Sequence, residues 1–79
     1  MTDVRARLTR CFTAVFPDLA DHEVPAAALA TVPGWDSIAH VTLLTVVEEE
    51  FGTTVDPDEI EHLTSFEALL HAVMRGAAA

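Results

Sequence analysis

The chain has no lysine, a single cysteine and no apolar run approaching eighteen residues. Without lysine, four arginines face thirteen acids, and the formal net charge is −9 at pH 7. A surface so acidic repels phosphate backbones, and nucleic acid is not an expected ligand. It attracts partners with basic patches, at encounter rates that fall as salt rises, and it also keeps a small protein soluble. Cys11 has no second cysteine to pair with, which fits a reducing compartment. The missing apolar run excludes a transmembrane helix. The first residues also lack the basic stretch followed by an apolar core that marks a secretory signal. A soluble cytoplasmic protein is expected, with no membrane association.

What is present is helical. The 79 residues make one domain, 1–79, with its core over about 3–75 and a frayed tail at 76–79. Half the residues are apolar, enough for one core without staples. From Val4, apolar residues recur at Leu8, Cys11, Phe12, Val15 and Leu19, the three-and-four spacing of one helical stripe. Thr2 is the expected cap, with Asp3 in the first turn, and Pro17 ends this helix near Phe16. Residues 17–36 hold three prolines and a glycine. They read as an ordered loop with one short turn at 26–30, pinned to the core by Val24, Leu29 and Val32. A second helix is expected from Ser37 to Phe51, with Asp36 as N-cap and Gly52 as its C-terminal glycine. Asp56 and Pro57 open a short helix through about Glu61. Thr64 and Glu67 fit a capping box ahead of a last stripe formed by Phe66, Leu69, Leu70, Val73 and Met74. No strand pattern competes. The class is all-α, three main helices plus one short one.

The second helix carries more apolar residues than its core face needs. On a wheel of about 100° per residue, Ala39, Leu43, Leu44, Val46, Val47 and Phe51 form one broad arc. Ile38 and Val41 fall outside it, beside Thr45, Glu48 and Glu49. Exposed aliphatics with a polar rim make a docking surface, unless the loop covers Ile38 and the short helix covers Val41.

These residues carry a resemblance. GWDSIAHVTLLTVVEEEFG, residues 34–52, resembles the phosphopantetheine attachment segment of acyl carrier proteins. The Asp-Ser pair carries weight only with Ile38, Val41, Leu43, Val47, the acidic triplet and Phe51 in register. The resemblance extends over nearly the whole chain in length, helix order, long first loop and the acidic segment DPDEIEHLTSFEALL. It implies an acyl-carrier-like four-helix bundle and a monomer. It also implies that Ser37 receives a 4'-phosphopantetheine arm from coenzyme A, with Asp36 as the neighbouring acid of the motif. A phosphodiester there would sit at a helix N-terminus, which favours negative charge. The implied protein is not an enzyme but a stand-alone carrier. It would hold acyl intermediates as thioesters and present them to a phosphopantetheinyl transferase and to acyl-loading and acyl-transferring enzymes with basic patches. Ile38, Val41, Thr45, Glu48 and Glu49 are the implied partner face.

The sequence also departs from the family. Positions 39 and 42, acidic in many fatty-acid carriers, are Ala39 and Thr42 here, and Thr45 replaces a larger apolar residue. Together with Trp35, this leans toward carriers of polyketide or other specialised-metabolite pathways. An aminoacyl, peptidyl or glyceryl carrier of the same fold is the alternative. So is a helical adaptor in which Ser37 is an ordinary first-turn residue.

Other chemistries find little support. His22, His40, His62 and His71 show no metal-ligand spacing, and DPDEIE lacks the glycine and terminal glutamate of a calcium loop. Cys11 lies on the core stripe as a buried thiol. His40, about 60° around the wheel from Ser37, reads as a surface or loop-packing residue. No base or nucleophile elbow is placed to activate Ser37.

Overall fold

The computed structural model describes residues 3–78, with backbone alone for 76–78. Helix α1 spans Val4–Val15, α2 spans Ser37–Phe51 and α3 spans Phe66–Ala78. Two 3₁₀ helices, Asp21–Ala26 and Pro57–His62, lie in the connections. No strand is formed among the described residues, so the chain is all-α.

Local chemistry explains most of the boundaries. Asp3 caps α1, its carboxylate accepting from the amides of Arg5 and Ala6 at 3.0 and 3.3 Å. Thr2 lies outside the described residues. Helix α1 stops at Val15, and Phe16 is its C-cap ahead of Pro17. Asp36 caps α2 by accepting from the Ala39 amide at 2.8 Å. Gly52 closes α2 with φ +62°, a left-handed conformation that glycine adopts without a Cβ penalty. Asp56 and Pro57 open the second short helix as expected, but it winds as 3₁₀ and runs to His62. Helix α3 continues to Ala78, so helical backbone extends into the segment expected to fray.

Helices α1 and α2 run antiparallel. At one end Arg7 donates through Nε to the Glu50 carboxylate at 2.8 Å and through a terminal nitrogen to the Glu50 carbonyl. Its guanidinium also lies 4.6 Å from the centre of the Phe51 ring. At the other end Ala14 and Val15 stand across a groove from Asp36 and Ile38. The core between the helices is led by Leu8, Phe12, Leu43, Val47, Phe66 and Leu69, all at 0% exposure. Phe12 is the hub of its aromatic part, meeting Trp35 edge-on at 5.6 Å and Phe66 at 5.5 Å between ring centres. Cys11 is buried on the α1 stripe as its spacing requires. Burial pushes its thiol above the ordinary range. Glu50 pushes it the same way, against the opposing pull of Arg7 and Arg10.

The long connection differs from the expectation in three places. Asp21–Ala26 is a 3₁₀ helix, its opening amide at Ala20 bonded by Glu23 at 3.0 Å. The expected turn forms two residues later, with the amides of Thr31 and Val32 donating to the Ala28 carbonyl. Leu29 is 43% exposed and does not pin the loop, whereas Val24 and Val32 are buried. Backbone hydrogen bonds supply the missing anchor: the Leu29 amide donates to the Thr64 carbonyl at 2.8 Å, and the Phe66 amide to the Ala27 carbonyl at 3.0 Å. This fastening also moves the cap of α3. Thr64 spends its carbonyl on the loop, and Ser65 Oγ accepts from the Ala68 amide at 3.1 Å, so Ser65 and not Thr64 is the capping side chain.

Candidate functional site

The start of α2 is delivered by a turn. Val32, Pro33, Gly34 and Trp35 close with the Trp35 amide donating to the Val32 carbonyl at 3.2 Å, and Gly34 has φ +87°. A left-handed glycine third is what a type II turn requires, and proline is common at its second position. The turn drives Trp35 into the core at 5% exposure and leaves Asp36 and Ser37 outside. Ser37 is the first residue of α2 and is exposed. With Ala39 N–H taken by the Asp36 carboxylate and His40 N–H by the Asp36 carbonyl, the amides of Ser37 and Ile38 stand in the first turn. There an α-helix has no internal partner to give them.

Beside Ser37 lies the apolar surface. Ile38 is 79% exposed and Val41 61%, so neither the loop nor the second 3₁₀ helix covers them. Around the wheel, Val41, Thr45, Ile38, Glu49 and Thr42 follow one another over about 100°, with Ser37 at the edge of the stripe. The hydroxyls of Thr42 and Thr45 donate to the carbonyls of Ile38 and Val41, both at 3.0 Å. Their hydrogen bonding is therefore satisfied within the helix. An open groove of about 430 Å³ borders the stripe on the α1 side, lined in part by Ala14, Val15, Ala39 and Val46.

The acids after the stripe are not equivalent. Glu48 is half-buried and accepts from the Val55 amide at 2.7 Å, holding the strap between α2 and the second 3₁₀ helix. Glu50 is engaged by Arg7. Glu49 is exposed at the far end of the stripe. Of the two acids expected on the rim, Glu49 is thus free to meet a partner, while Glu48 has one oxygen committed to the fold.

His40 belongs to the core and not to the surface. It is 8% exposed, accepts at Nδ1 from the Trp35 indole N–H at 3.1 Å, and lies 2.9 Å through Nε2 from the Ile60 carbonyl. Both nitrogens are occupied, so His40 offers Ser37 no base. The wheel contains the signal for this burial, since His40 falls within about 20° of Val47 and Phe51, at the middle of the core face. Trp35 is the second residue whose structural part the sequence reading passes over. The Pro33-Gly34 pair was the signal for the turn that buries it.

Among the described residues, no cluster of three or more His, Cys, Asp or Glu side chains could hold a metal ion. No helix among them is long and apolar enough to cross a membrane. Compared with models of known families and with curated proteins, the chain matches none.

Proposed function

We propose that the protein is a carrier whose Ser37 accepts a 4'-phosphopantetheine arm from coenzyme A and which presents thioester-linked acyl groups to partner enzymes. The observation that carries this reading is the exposed Ser37 hydroxyl at the first residue of α2, capped by Asp36, beside the exposed Ile38 and Val41. An attachment serine must be reachable by a separate transferase, and one without a base of its own needs such an enzyme. The residues suit the group. A phosphodiester on Ser37 would meet the unpaired first-turn amides and the positive end of the helix dipole. Asp36 would keep its carboxylate on the Ala39 amide. The three long helices, the short one after α2 and the long first loop accord with the acyl-carrier-like bundle that the resemblance implies.

The decisive measurement is the intact mass of the protein after co-expression with a broad-specificity phosphopantetheinyl transferase. A gain of one arm per chain is expected. No gain would return the chain to the class of helical adaptors, with Ser37 an ordinary first-turn residue. The neutral Ala39 and Thr42 favour partners of specialised-metabolite pathways, polyketide synthesis first among them, over those of fatty-acid synthesis.

Docking is assigned to Ile38, Val41 and Thr45, with Glu49 as the charged end of the stripe. Because Ile38 is already in water, Ile38→Asp is expected to leave thermal stability within about 0.5 kcal/mol of the original. Loading by the transferase should slow at the same time. A drop in melting temperature of the size seen for a charge placed in a core would remove Ile38 from the docking surface.

Charge sets the encounter rate. Association with the transferase is expected to slow as salt rises, because steering is screened over roughly 8 Å at physiological ionic strength. Glu49→Lys should slow association at low salt. The same reversal at Glu48 is compromised as a test, since it also cuts the bond to Val55. An association rate indifferent to salt would mean an apolar encounter and reduce the acidity to a solubility device.

A further inference from the structure

The chain of hydrogen bonds from Trp35 through His40 to Ile60 is not used by the proposed carrier function and stands independently of it. It joins three parts of the molecule: the turn before α2, α2 itself and the second 3₁₀ helix. Indole N–H can only donate, so Nδ1 of His40 must accept, and Nε2 carries the proton given to the Ile60 carbonyl. An imidazole with one acceptor and one donor nitrogen is neutral.

A second proton has one place to go. On Nδ1 it would confront the indole N–H across 3.1 Å, donor against donor. Turning the ring over does not help, because both nitrogens of an imidazolium are donors. The bond to Ile60 survives and gains charge assistance, while the bond to Trp35 cannot form.

We propose that His40 is a proton-operated latch: neutral, it fastens Trp35 and the second 3₁₀ helix to α2, and protonated, it keeps the 3₁₀ helix and releases Trp35. The charged and titratable groups on the surrounding elements are known. Asp36 lies on the cap of α2, and Asp58, Glu59, Glu61 and His62 lie on the 3₁₀ helix around Ile60. On α3, Glu67, His71 and Arg75 line an open cleft with Glu59 and His62, where Arg75 pairs with Glu59 at 3.2 Å. From α1, Phe16 packs on Trp35 at 5.5 Å and Phe12 at 5.6 Å. Neither ring offers the released indole N–H a lone pair of the kind it loses. Trp35 is the last residue of the turn that precedes Asp36. Its release therefore loosens the lead-in to the helix on which Ser37 stands.

Trp35 is the only tryptophan in the chain, so a single indole resonance reports on the latch. As pH is lowered, the indole N–H signal is expected to move upfield and exchange faster with water. Its movement should track the titration of the His40 ring protons while far-UV circular dichroism keeps its helical signal. His40→Gln retains an acceptor and a donor but cannot take a proton, and it should hold the indole signal still as pH falls. His62→Gln and His71→Gln should leave the titration as it is in the original chain. An indole signal that stays put as His40 titrates would overturn the latch, as would a His40 ring that does not titrate in the folded chain. So would an indole shift that persists in His40→Gln or follows loss of helix. If His40→Gln does not fold, the paired titrations of His40 and Trp35 in the original chain decide the matter alone.

Discussion

Ser37→Ala is expected to abolish the gain of a phosphopantetheine arm completely while leaving the protein folded. The two halves of this result have separate causes. The hydroxyl oxygen is the atom that would form the phosphodiester bond, and alanine has none, so the loss is total and not graded. The fold should persist because Ser37 is exposed and the capping hydrogen bond of α2 comes from Asp36. A surface substitution of this kind changes stability by about 0.5 kcal/mol or less. The chain offers a built-in control in Ser65, its other serine, whose Oγ caps α3 on the Ala68 amide and is only half-exposed. Ser65→Ala should still gain the arm, at some cost in stability from the lost cap. If Ser37→Ala were still modified by the transferase, the attachment site would lie elsewhere. If neither the original chain nor the variant were modified, the carrier reading itself would fall.

The largest effect on stability should come from Phe12→Ala. Phe12 is at 0% exposure and is the ring on which Phe16, Trp35 and Phe66 converge. Truncating a buried phenylalanine costs about 3–5 kcal/mol, through the lost transfer energy and the cavity left behind. Small domains sit toward the low side of a total stability of roughly 5–15 kcal/mol. The variant should therefore melt more than about 10 °C lower or fail to fold at ambient temperature, as read by circular dichroism and urea unfolding. Because Phe12 supports Trp35 and Phe66 together, the loss should spread beyond α1 to the turn before α2 and the start of α3. A loss below about 1 kcal/mol would show that the aromatic cluster closes over the gap and that Phe12 is not its hub.

Much of this was written in the sequence because helix ends and helix faces depend on residues within about four positions of one another. Asp36, Gly52 and the Asp56-Pro57 pair carry their own instructions. The bounds of α2 follow from them without knowledge of what α2 packs against. The exposure of Ile38 and Val41 was legible for the same reason, since the wheel already placed them off the core arc. Leu8, Cys11 and Phe12 declared the buried face of α1 in the same way. The proposal of Ser37 as an attachment site came only through a resemblance of motif. Composition and periodicity alone left Ser37 as a helix start like any other.

Where a group's partner lies far along the chain, tertiary structure decided the outcome. Thr64 looked like a cap until its carbonyl was claimed by Leu29, thirty-five positions away, and the role passed to Ser65. Glu48 read as a rim acid until the strap after α2 brought the Val55 amide to its carboxylate. Leu29 read as an anchor, but the backbone bonds of residues 27 and 29 to the start of α3 hold the loop without burying its side chain. His40 lay on the core side of its own wheel, yet nothing local supplied its two polar partners. Those came from a type II turn and a 3₁₀ helix that converge on α2 only in the folded chain. A periodic pattern says which face of a helix leaves water. Which polar groups are waiting there depends on where distant backbone turns, and a buried donor or acceptor must find a partner or lose about 1–3 kcal/mol.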